Sequence, residues 1–179
     1  MEVVLSSSEL DSGVLTAEEL CRRYAPSVCR FAAMMTRTSP DADDLAQDAL
    51  LRAVRAIGSY DPTRGTPEAW LWRIVVNAAR DSAHRGERAR ALLERLAFNS
   101  PRESESVETT VLANLRDDDL HAQLRLLRYR DRTLLALRYG AGLDTAEVGA
   151  AIGLSPESAG TAIRRALARL RSRLEVRQQ

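Results

Sequence analysis

Apolar residues recur along most of this chain at the three- and four-residue spacing of an α-helix. Pro26 interrupts the first such run, so we expect a kink or a restart of the helix there. No segment shows the alternation of apolar and polar residues that is typical of a strand. The pattern therefore predicts an all-α protein. The first run consists of Leu20, Tyr24, Val28, Phe31 and Met35.

A second helix is bounded by recognisable start and stop signals. Ser39 and Pro40 suit an N-cap and the first helical position, and Gly58 suits the end of the helix. The helical spacing predicts that one apolar face packs inward. That face consists of Leu45, Ala49, Ala53 and Ile57.

A third helix begins at Thr66 and Pro67 and is expected to reach about Arg85, and the pattern is compatible with an extension over 86–98. The stretch 59–69 that precedes it is rich in turn-forming residues. We therefore expect an irregular loop between two helices.

The stretch 99–110 is polar and acidic and has little to bury, which is typical of a linker. Helical spacing resumes after it, over about 117–128, 130–139, 144–152 and 156–173. The chain is therefore expected to form two small helical domains joined by a flexible acidic linker. The predicted parts are an N-terminal extension 1–15, a first domain 16–98, a linker 99–116 and a second domain 117–179.

Composition sharpens this picture. Apolar residues make up 45% of the chain and aromatic residues only 4%, so the core must be mostly Leu, Ala, Val and Ile. All 26 basic residues are arginine, which a GC-rich genome also explains. Residues 1–60 hold nine acids and six arginines, whereas residues 154–179 hold two acids and six arginines. An acidic end and a basic end suggest different partners.

Several classes of protein are excluded by simple counts. Cys21, Cys29, His84 and His121 show no close metal-ligand spacing, so we expect buried free thiols and neither a metal nor another cofactor. No apolar run approaches the length of a membrane span, and the first residues lack the basic start of a signal peptide. We expect a cytoplasmic protein without membrane insertion.

The segment GLDTAEVGAAIGLSPESAGTAIRRALARLR, residues 142–171, predicts a helix-turn-helix with Gly153 at the turn. The second helix would bury one apolar stripe and present a polar face that suits the major groove of DNA. The alternative is a solvated basic face on a helical hairpin. The polar face carries Ser158, Thr161, Ala162, Arg165 and Arg169, with Arg164 at its edge.

Two other helices carry candidate binding faces. In WLWRIVVNAARDSAHR, residues 70–85, a polar stripe flanked by Trp72 suits a nucleic-acid strand, although, taken alone, the stripe is better explained by an ordinary exposed face with a tryptophan in the core. In DADDLAQDALLRAVR, residues 41–55, early acids complement the helix dipole, but Asp44 and Asp48 repel each other and suit a basic protein surface. The stripe consists of Arg73, Asn77, Arg80 and His84.

Together and in this order, three segments resemble bacterial sigma factors of the extracytoplasmic function class. DADDLAQDALLRAVR is similar to the region 2 helix that docks on the β′ clamp helices of RNA polymerase. SYDPTRGTPEAWLWRIVVNAARD is similar to the loop and helix that open and read the minus-ten element. LRYGAGLDTAEVGAAIGLSPESAGTAIRRALARLR is similar to region 4, which reads the minus-thirty-five element. The resemblance covers about 16–85 and 117–174.

The resemblance implies partners and roles for individual residues. Core RNA polymerase, through its β′ clamp helices and its β subunit, promoter DNA and an anti-sigma factor are the expected partners, and the loop 59–69 would hold a flipped base. The polymerase contacts would be Asp44, Leu45, Gln47 and Asp48. The minus-ten contacts would be Arg64, Trp72, Arg73, Asn77, Arg80 and His84. The minus-thirty-five contacts would be Ser158, Thr161, Arg164, Arg165 and Arg169.

The second helix of the helix-turn-helix departs from the family pattern. Glu157, Gly160 and Ala162 stand where the family often has glycine, a basic residue and arginine. Gly160 would either allow a close approach to DNA or reflect drift. The minus-thirty-five sequence that this chain reads is therefore expected to differ from the common one.

Two other functions are compatible with parts of this sequence. A stand-alone helix-turn-helix regulator would explain 142–174, but it would leave the acidic helix and the 70–85 stripe without a role. An enzyme is not indicated, because the sequence shows no nucleophile–base pair, metal cluster or phosphate-binding glycine loop.

Overall fold

The computed structural model describes residues 16–97 and 115–177, and all regular structure in these ranges is helical. The prediction of an all-α fold is therefore confirmed. The predicted extension 1–15 and most of the predicted linker lie outside the described residues. The helices are α1 (Ala17–Met35), α2 (Ser39–Ala56), α3 (Pro67–Ala97), α4 (Leu115–Leu126), α5 (Tyr129–Leu135), α6 (Thr145–Ile152) and α7 (Pro156–Arg177).

Helix α1 is one continuous helix through Pro26, so of the two alternatives expected there the restart is wrong. An interior proline removes one backbone hydrogen bond and costs about 3 kcal/mol. Buried side chains on both sides, such as Tyr24 and Val28, keep the helix whole by packing. Thr16 caps its start, because its side chain accepts a hydrogen bond from the Glu19 amide at 3.2 Å.

Helices α1, α2 and α3 form the first block around a common core. Phe31 of α1 and Trp72 of α3 meet edge to face with ring centroids 5.7 Å apart. At the start of α3, the Glu68 carboxylate accepts a 2.6 Å hydrogen bond from the Tyr24 hydroxyl and an ion pair from Arg23 at 2.8 Å. These contacts fix the start of α3 against α1.

Helix α3 passes Arg85 and continues to Ala97, so the extension over 86–98 that the pattern allowed is helical as far as Ala97. Helix α2 starts one residue earlier than expected, because Thr38 is the N-cap and Ser39 is already helical. Residues 57–59 and 62–64 form two short 3₁₀ turns in the loop that follows.

The second block consists of α4 to α7, and α6 and α7 form the expected helix-turn-helix. A capping box starts α6: the Asp144 side chain accepts from the Glu147 amide at 2.8 Å, and the Glu147 carboxylate accepts from the Asp144 amide at 2.7 Å. Gly153 takes a left-handed conformation with φ of 73° at the turn, which favours glycine. Buried Ala159 and Ile163 pack α7 inward, as predicted.

The two blocks are packed directly on each other. Leu137 and Val148 of the second block belong to the same buried cluster as Leu20 and Val75 of the first. Helix α1 touches the turn at 136–140, and α3 touches α6. The tether 99–110 lies outside the described residues, so the observed connection between the blocks is this apolar seam. None of the helices within 16–97 and 115–177 is long and apolar enough to cross a bilayer.

Candidate nucleic-acid and protein interfaces

The acidic surface at the start of α2 combines free and paired carboxylates. Asp43, Asp44 and Gln47 are exposed. Asp48, in contrast, forms ion pairs with Arg52 at 2.9 Å and with Arg85 of α3 at 3.5 Å. The carboxylate of Asp48 is therefore held by arginines of the chain itself, which offset its repulsion with Asp44.

Arg52 joins α2 to α3 at this surface. Besides its contact with Asp48, its guanidinium forms a 2.6 Å ion pair with Asp81. Hydrogen bonds to Asp81 and Asp48 raise the pKa of Arg52, and the hydrogen bond from Arg52 lowers the pKa of the Asp81 carboxyl. The result is a fixed network of alternating charges beside the free carboxylates.

Leu45 does not belong to this surface. Its side chain is only 4% exposed and packs in the core with Ala49 and Ala53. The sequence placed Leu45 both on an inward apolar face and among the polymerase contacts, and the structure supports the first placement. Leu45 is therefore removed from the predicted polymerase contacts, because its side chain could reach a partner only if the core opened.

An apolar groove between α1 and α2 adjoins Gln47, and sequence reasoning missed it. It has a volume of about 450 Å³, and Leu51 on its wall is 45% exposed. Cys29 is exposed and Cys21 is half-buried in this groove, so the expectation of buried thiols is wrong. The adjacent Leu50 and Leu51, one residue beyond the inward stripe, were the available signal.

The loop between α2 and α3 borders a cavity of about 660 Å³. Tyr60 packs against Trp70 with ring centroids 5.7 Å apart, and its hydroxyl donates to the Gly65 carbonyl at 3.2 Å. Two hydrogen bonds from Thr63 hold the Asp61 side chain and lower its pKa. The cavity is lined by Ser59, Arg64, Thr66, Trp70 and Arg73, with Glu147 of α6 on its far side.

The structure brings the predicted polar stripe to one exposed face of α3. Arg73, Asn77, Arg80 and His84 are all exposed, as is Arg64 in the loop. His84 lies 3.6 Å from the carboxylate of Glu87.

Trp72 is removed from the predicted minus-ten contacts, because its side chain is 1% exposed and belongs to the core. The aromatic residue beside the cavity is instead Trp70, which is half-buried. The two tryptophans are two residues apart and therefore lie on nearly opposite sides of the helix.

The polar face of α7 also contains free and paired side chains. Ser158, Arg164 and Arg165 are exposed, and Arg164 donates a 3.0 Å hydrogen bond to Thr161, which is half-buried. Arg169 is different, because its guanidinium contacts both carboxylate oxygens of the buried Asp131 at 3.0 Å. Arg169 therefore fixes α7 to α5.

Gly160 faces α6 rather than solvent. A Cβ at this position would lie 3.3 Å from the Thr145 methyl group. The glycine thus allows α7 to pack closely on α6, which gives the departure from the family pattern a structural reason.

Two family profiles match the chain. Sigma-70 region 2 matches residues 20–90, and Sigma-70, region 4 matches residues 117–170. These ranges include α1 to α3 and α4 to α7 almost completely. The region 2 match contains the acidic surface of α2 and the polar stripe of α3 with the loop before it. The region 4 match contains the helix-turn-helix.

Relatives and solved structures agree with these matches. The chain is 34% identical over 158 residues to "RNA polymerase sigma factor CarQ" of Myxococcus xanthus, covering 88% of both chains. It is 32% identical over 160 residues to "ECF RNA polymerase sigma factor SigE" of Mycolicibacterium smegmatis, covering 88% of this chain and 61% of that relative. The fold of the sigma factor RpoE from Bartonella quintana, solved with the anti-sigma factor NepR, matches with a TM-score of 0.64 at 22% identity, covering 89% of this chain and 96% of that one.

Proposed function

Because the chain belongs to the sigma-70 family, and within it to the extracytoplasmic function class of RNA polymerase sigma factors, we propose that it binds core RNA polymerase and directs it to promoters. The observation that carries this proposal is the placement of three chemically different exposed surfaces on one chain, in the order of the family. An acidic surface cannot bind DNA, and arginine-rich faces are poor partners for each other. The three surfaces therefore suit a protein that bridges a polymerase and a promoter.

We propose that the polymerase docks on the start of α2. Asp44 and Gln47 are exposed and offer a charge and an amide to the basic clamp helices that the resemblance implies. Asp48 is held in place by Arg52 and Arg85, and it would act as a fixed part of the acidic field. The apolar groove with Leu51 on its wall would add contact area beside the charges.

The minus-ten element would be read at α3 and the loop before it. Arg73, Asn77, Arg80 and His84 form a row of donors that can follow a strand, and Arg64 lies at the adjacent cavity. Unstacking one base costs a few kcal/mol, which stacking and phosphate contacts can offset. Trp70 and Tyr60 supply aromatic surface at this cavity.

The minus-thirty-five element would be read in the major groove by the first half of α7. Ser158, Thr161, Arg164 and Arg165 lie there, and Arg165 is exposed without an ion-pair partner in the described part of the chain. Arg side chains can bond guanine with two hydrogen bonds. Arg169 would mainly hold α7 in position through Asp131.

An anti-sigma factor is the proposed regulator. The solved sigma factor RpoE is in complex with the anti-sigma factor NepR, and a superposition on it covers both blocks of this chain. A partner that contacted both blocks would keep the α2 surface away from polymerase.

Co-elution with sigma-free core RNA polymerase tests the proposed function. We expect the purified chain to elute with the core enzyme in size-exclusion chromatography, and the variant Asp44→Arg to do so less. A chain that stays separate from the core enzyme but binds duplex DNA alone would instead be a stand-alone helix-turn-helix regulator.

A further inference from the structure

A cavity of about 580 Å³ lies where the turn between α1 and α2 and the second half of α3 face α4 and α5. Arginines from four parts of the chain line it, and none of them is among the predicted contacts with polymerase or promoter DNA. We call this space the arginine cavity. Its arginines are Arg37 in the turn, Arg85 and Arg90 of α3, Arg125 of α4 and Arg132 of α5.

Backbone carbonyls hold two of these guanidinium groups in place. The Arg125 guanidinium donates to the Arg37 carbonyl at 3.1 Å, and the Arg132 guanidinium donates to the Arg125 carbonyl at 3.2 Å. A carbonyl group orients a guanidinium but carries no net charge that would neutralise it. These contacts therefore build the wall of a site and leave the positive charges available to a ligand.

Arg132 shows that the positive charges lie close enough to oppose one another. Its side chain is half-buried, and its Nε atom is buried without a hydrogen-bond partner. Burial, and then the positive charges of Arg37 and Arg125, lower the pKa of Arg132. A buried donor without an acceptor and converging like charges are both unfavourable. An anion in the cavity would offset the repulsion and, after a small rotation of the guanidinium, supply the missing acceptor.

The carboxylates on the wall of the arginine cavity are not paired with these three arginines. Glu87 of α3 lies 3.6 Å from His84. Asp41 and Asp44 of α2 form no ion pair in the part of the chain whose side chains the structure describes. Because these carboxylates on α2 and α3 would repel an anion, a ligand is expected on the side of α4 and α5.

The rest of the wall suits the organic part of a small molecule. The centroid of the Tyr129 ring lies 6.0 Å from Arg132 Cζ, and apolar side chains continue the surface at Met35, Ala79 and Leu127. The volume is within the range of small-molecule sites. Arginine forks bond phosphate oxygens in pairs, and such bonds are stronger than those between neutral groups. The wall therefore combines phosphate-binding donors with an aromatic and apolar surface.

We infer that the arginine cavity is a binding site for a small polyphosphate, with Arg37, Arg125 and Arg132 as the residues that hold its phosphate groups. A nucleoside triphosphate and an inorganic polyphosphate share this chemistry, and the nucleoside would add contacts with Tyr129. Binding is a property of the free chain, so it does not depend on the proposed function. A bound polyphosphate would lie next to Asp44 and hence beside the surface of α2 that is proposed to meet polymerase.

Isothermal titration calorimetry of the whole chain tests the site with two probes, ATP without magnesium and inorganic triphosphate, at constant ionic strength. We expect one saturable site with a Kd of about 0.1 mM or lower. Tighter binding of ATP would identify a nucleotide as the class of ligand. Equal binding of the two probes would identify the phosphate chain alone.

Three single substitutions locate the site. Arg132→Gln should weaken binding at least about tenfold, because it removes a charge-assisted hydrogen-bond donor. Arg37→Gln should weaken binding about threefold, since its side chain is exposed and its charge is screened by solvent. Arg22→Gln is the matched control, because it removes an exposed arginine of α1 that does not line the cavity, and it should leave the affinity unchanged.

Thermal melts separate a binding role of Arg132 from a structural one. Arg132→Gln removes a cation from among like charges, so without ligand it should melt no lower than the wild type. ATP at about 100 times the wild-type Kd should raise the melting temperature of the wild type by about 5–10 °C and that of the variant by much less. If Arg132→Gln does not fold, Arg37→Gln decides, since its side chain lies at the surface.

Three results would overturn the inference. The first is the absence of saturable binding of either probe. The second is equal affinity of Arg37→Gln and Arg22→Gln, which would place the bound anion elsewhere on the chain. The third is binding of a single-stranded oligonucleotide but of neither probe, which would make these arginines a nucleic-acid surface.

Discussion

The acidic face of α2 and the arginine face of α7 differ in sign, but they share one design. Each carries a charge that is tied to another helix: Asp48 to Arg52 and Arg85, and Arg169 to Asp131. Each also carries an exposed charge that has no such partner within 16–97 and 115–177, Asp44 on α2 and Arg165 on α7. Charge alone therefore does not identify an interface, because the paired charges position helices and the unpaired ones remain available for partners.

The largest expected effect is on stability, and it follows from removing Arg169, which is paired with Asp131. Arg169→Met leaves the buried Asp131 carboxylate without its two hydrogen bonds, which should lower the free energy of unfolding by about 2–3 kcal/mol. Urea unfolding measures this loss. Arg171→Met, at an exposed arginine of the same helix, is the control and should change stability little.

Arg165→Ala removes an exposed, unpaired charge of α7, so it should change DNA binding and leave the fold unchanged. If Arg165 bonds a base, the variant should lose about 1–3 kcal/mol of discrimination between its own promoter and one changed at that base. Binding titrations of the assembled holoenzyme on both promoters give this difference. An equal loss on both promoters would assign Arg165 to a phosphate instead.

Asp44→Arg should weaken core polymerase binding by about tenfold, because it reverses an exposed charge at the proposed dock. The melting temperature should stay unchanged, since Asp44 has no ion pair in the described part of the chain. Glu87→Arg, which reverses an exposed carboxylate on α3, is the control. Comparable weakening by both variants would mean that only net charge matters and that α2 is not a specific dock.

The smallest expected effect concerns pH and the paired carboxylate of Glu68. Burial raises the pKa of Glu68, but hydrogen bonds, chiefly from Tyr24, and the charge of Arg23 lower it to below its usual value. Stability from this contact is therefore present above the pKa of the unfolded chain and lost as pH falls through the lower folded pKa. Thermal melts from pH 6 to pH 3 should show a shallower loss for Glu68→Gln than for the wild type. Parallel curves would contradict this account.

Helix positions and the helix-turn-helix could be predicted because they depend on local spacing. Apolar residues at helical intervals located α1 and α7, and the turn glycine Gly153 located the break between α6 and α7. Pro26 misled the prediction of a helix restart, because packing on both sides outweighs one lost hydrogen bond. Local rules hold wherever tertiary contacts do not override them.

Contacts between residues far apart in sequence could not be predicted. Asp48 meets Arg85 across 37 residues, and Arg30 meets Gly140 across 110. The prediction named Trp72 instead of Trp70 for a similar reason, since only the packing of α3 against Phe31 decides which tryptophan is buried. Which charges are free therefore became visible only when the helices were packed together.

Run-off transcription tests the central claim most directly. Sigma-free core polymerase would be combined with the wild-type chain, with Asp44→Arg or with Arg165→Ala, on a fragment library from the source genome. The account predicts a restricted set of transcripts with the wild type, the same set at reduced yield with Asp44→Arg, and an altered set with Arg165→Ala. Transcripts that are the same with and without the chain would contradict it.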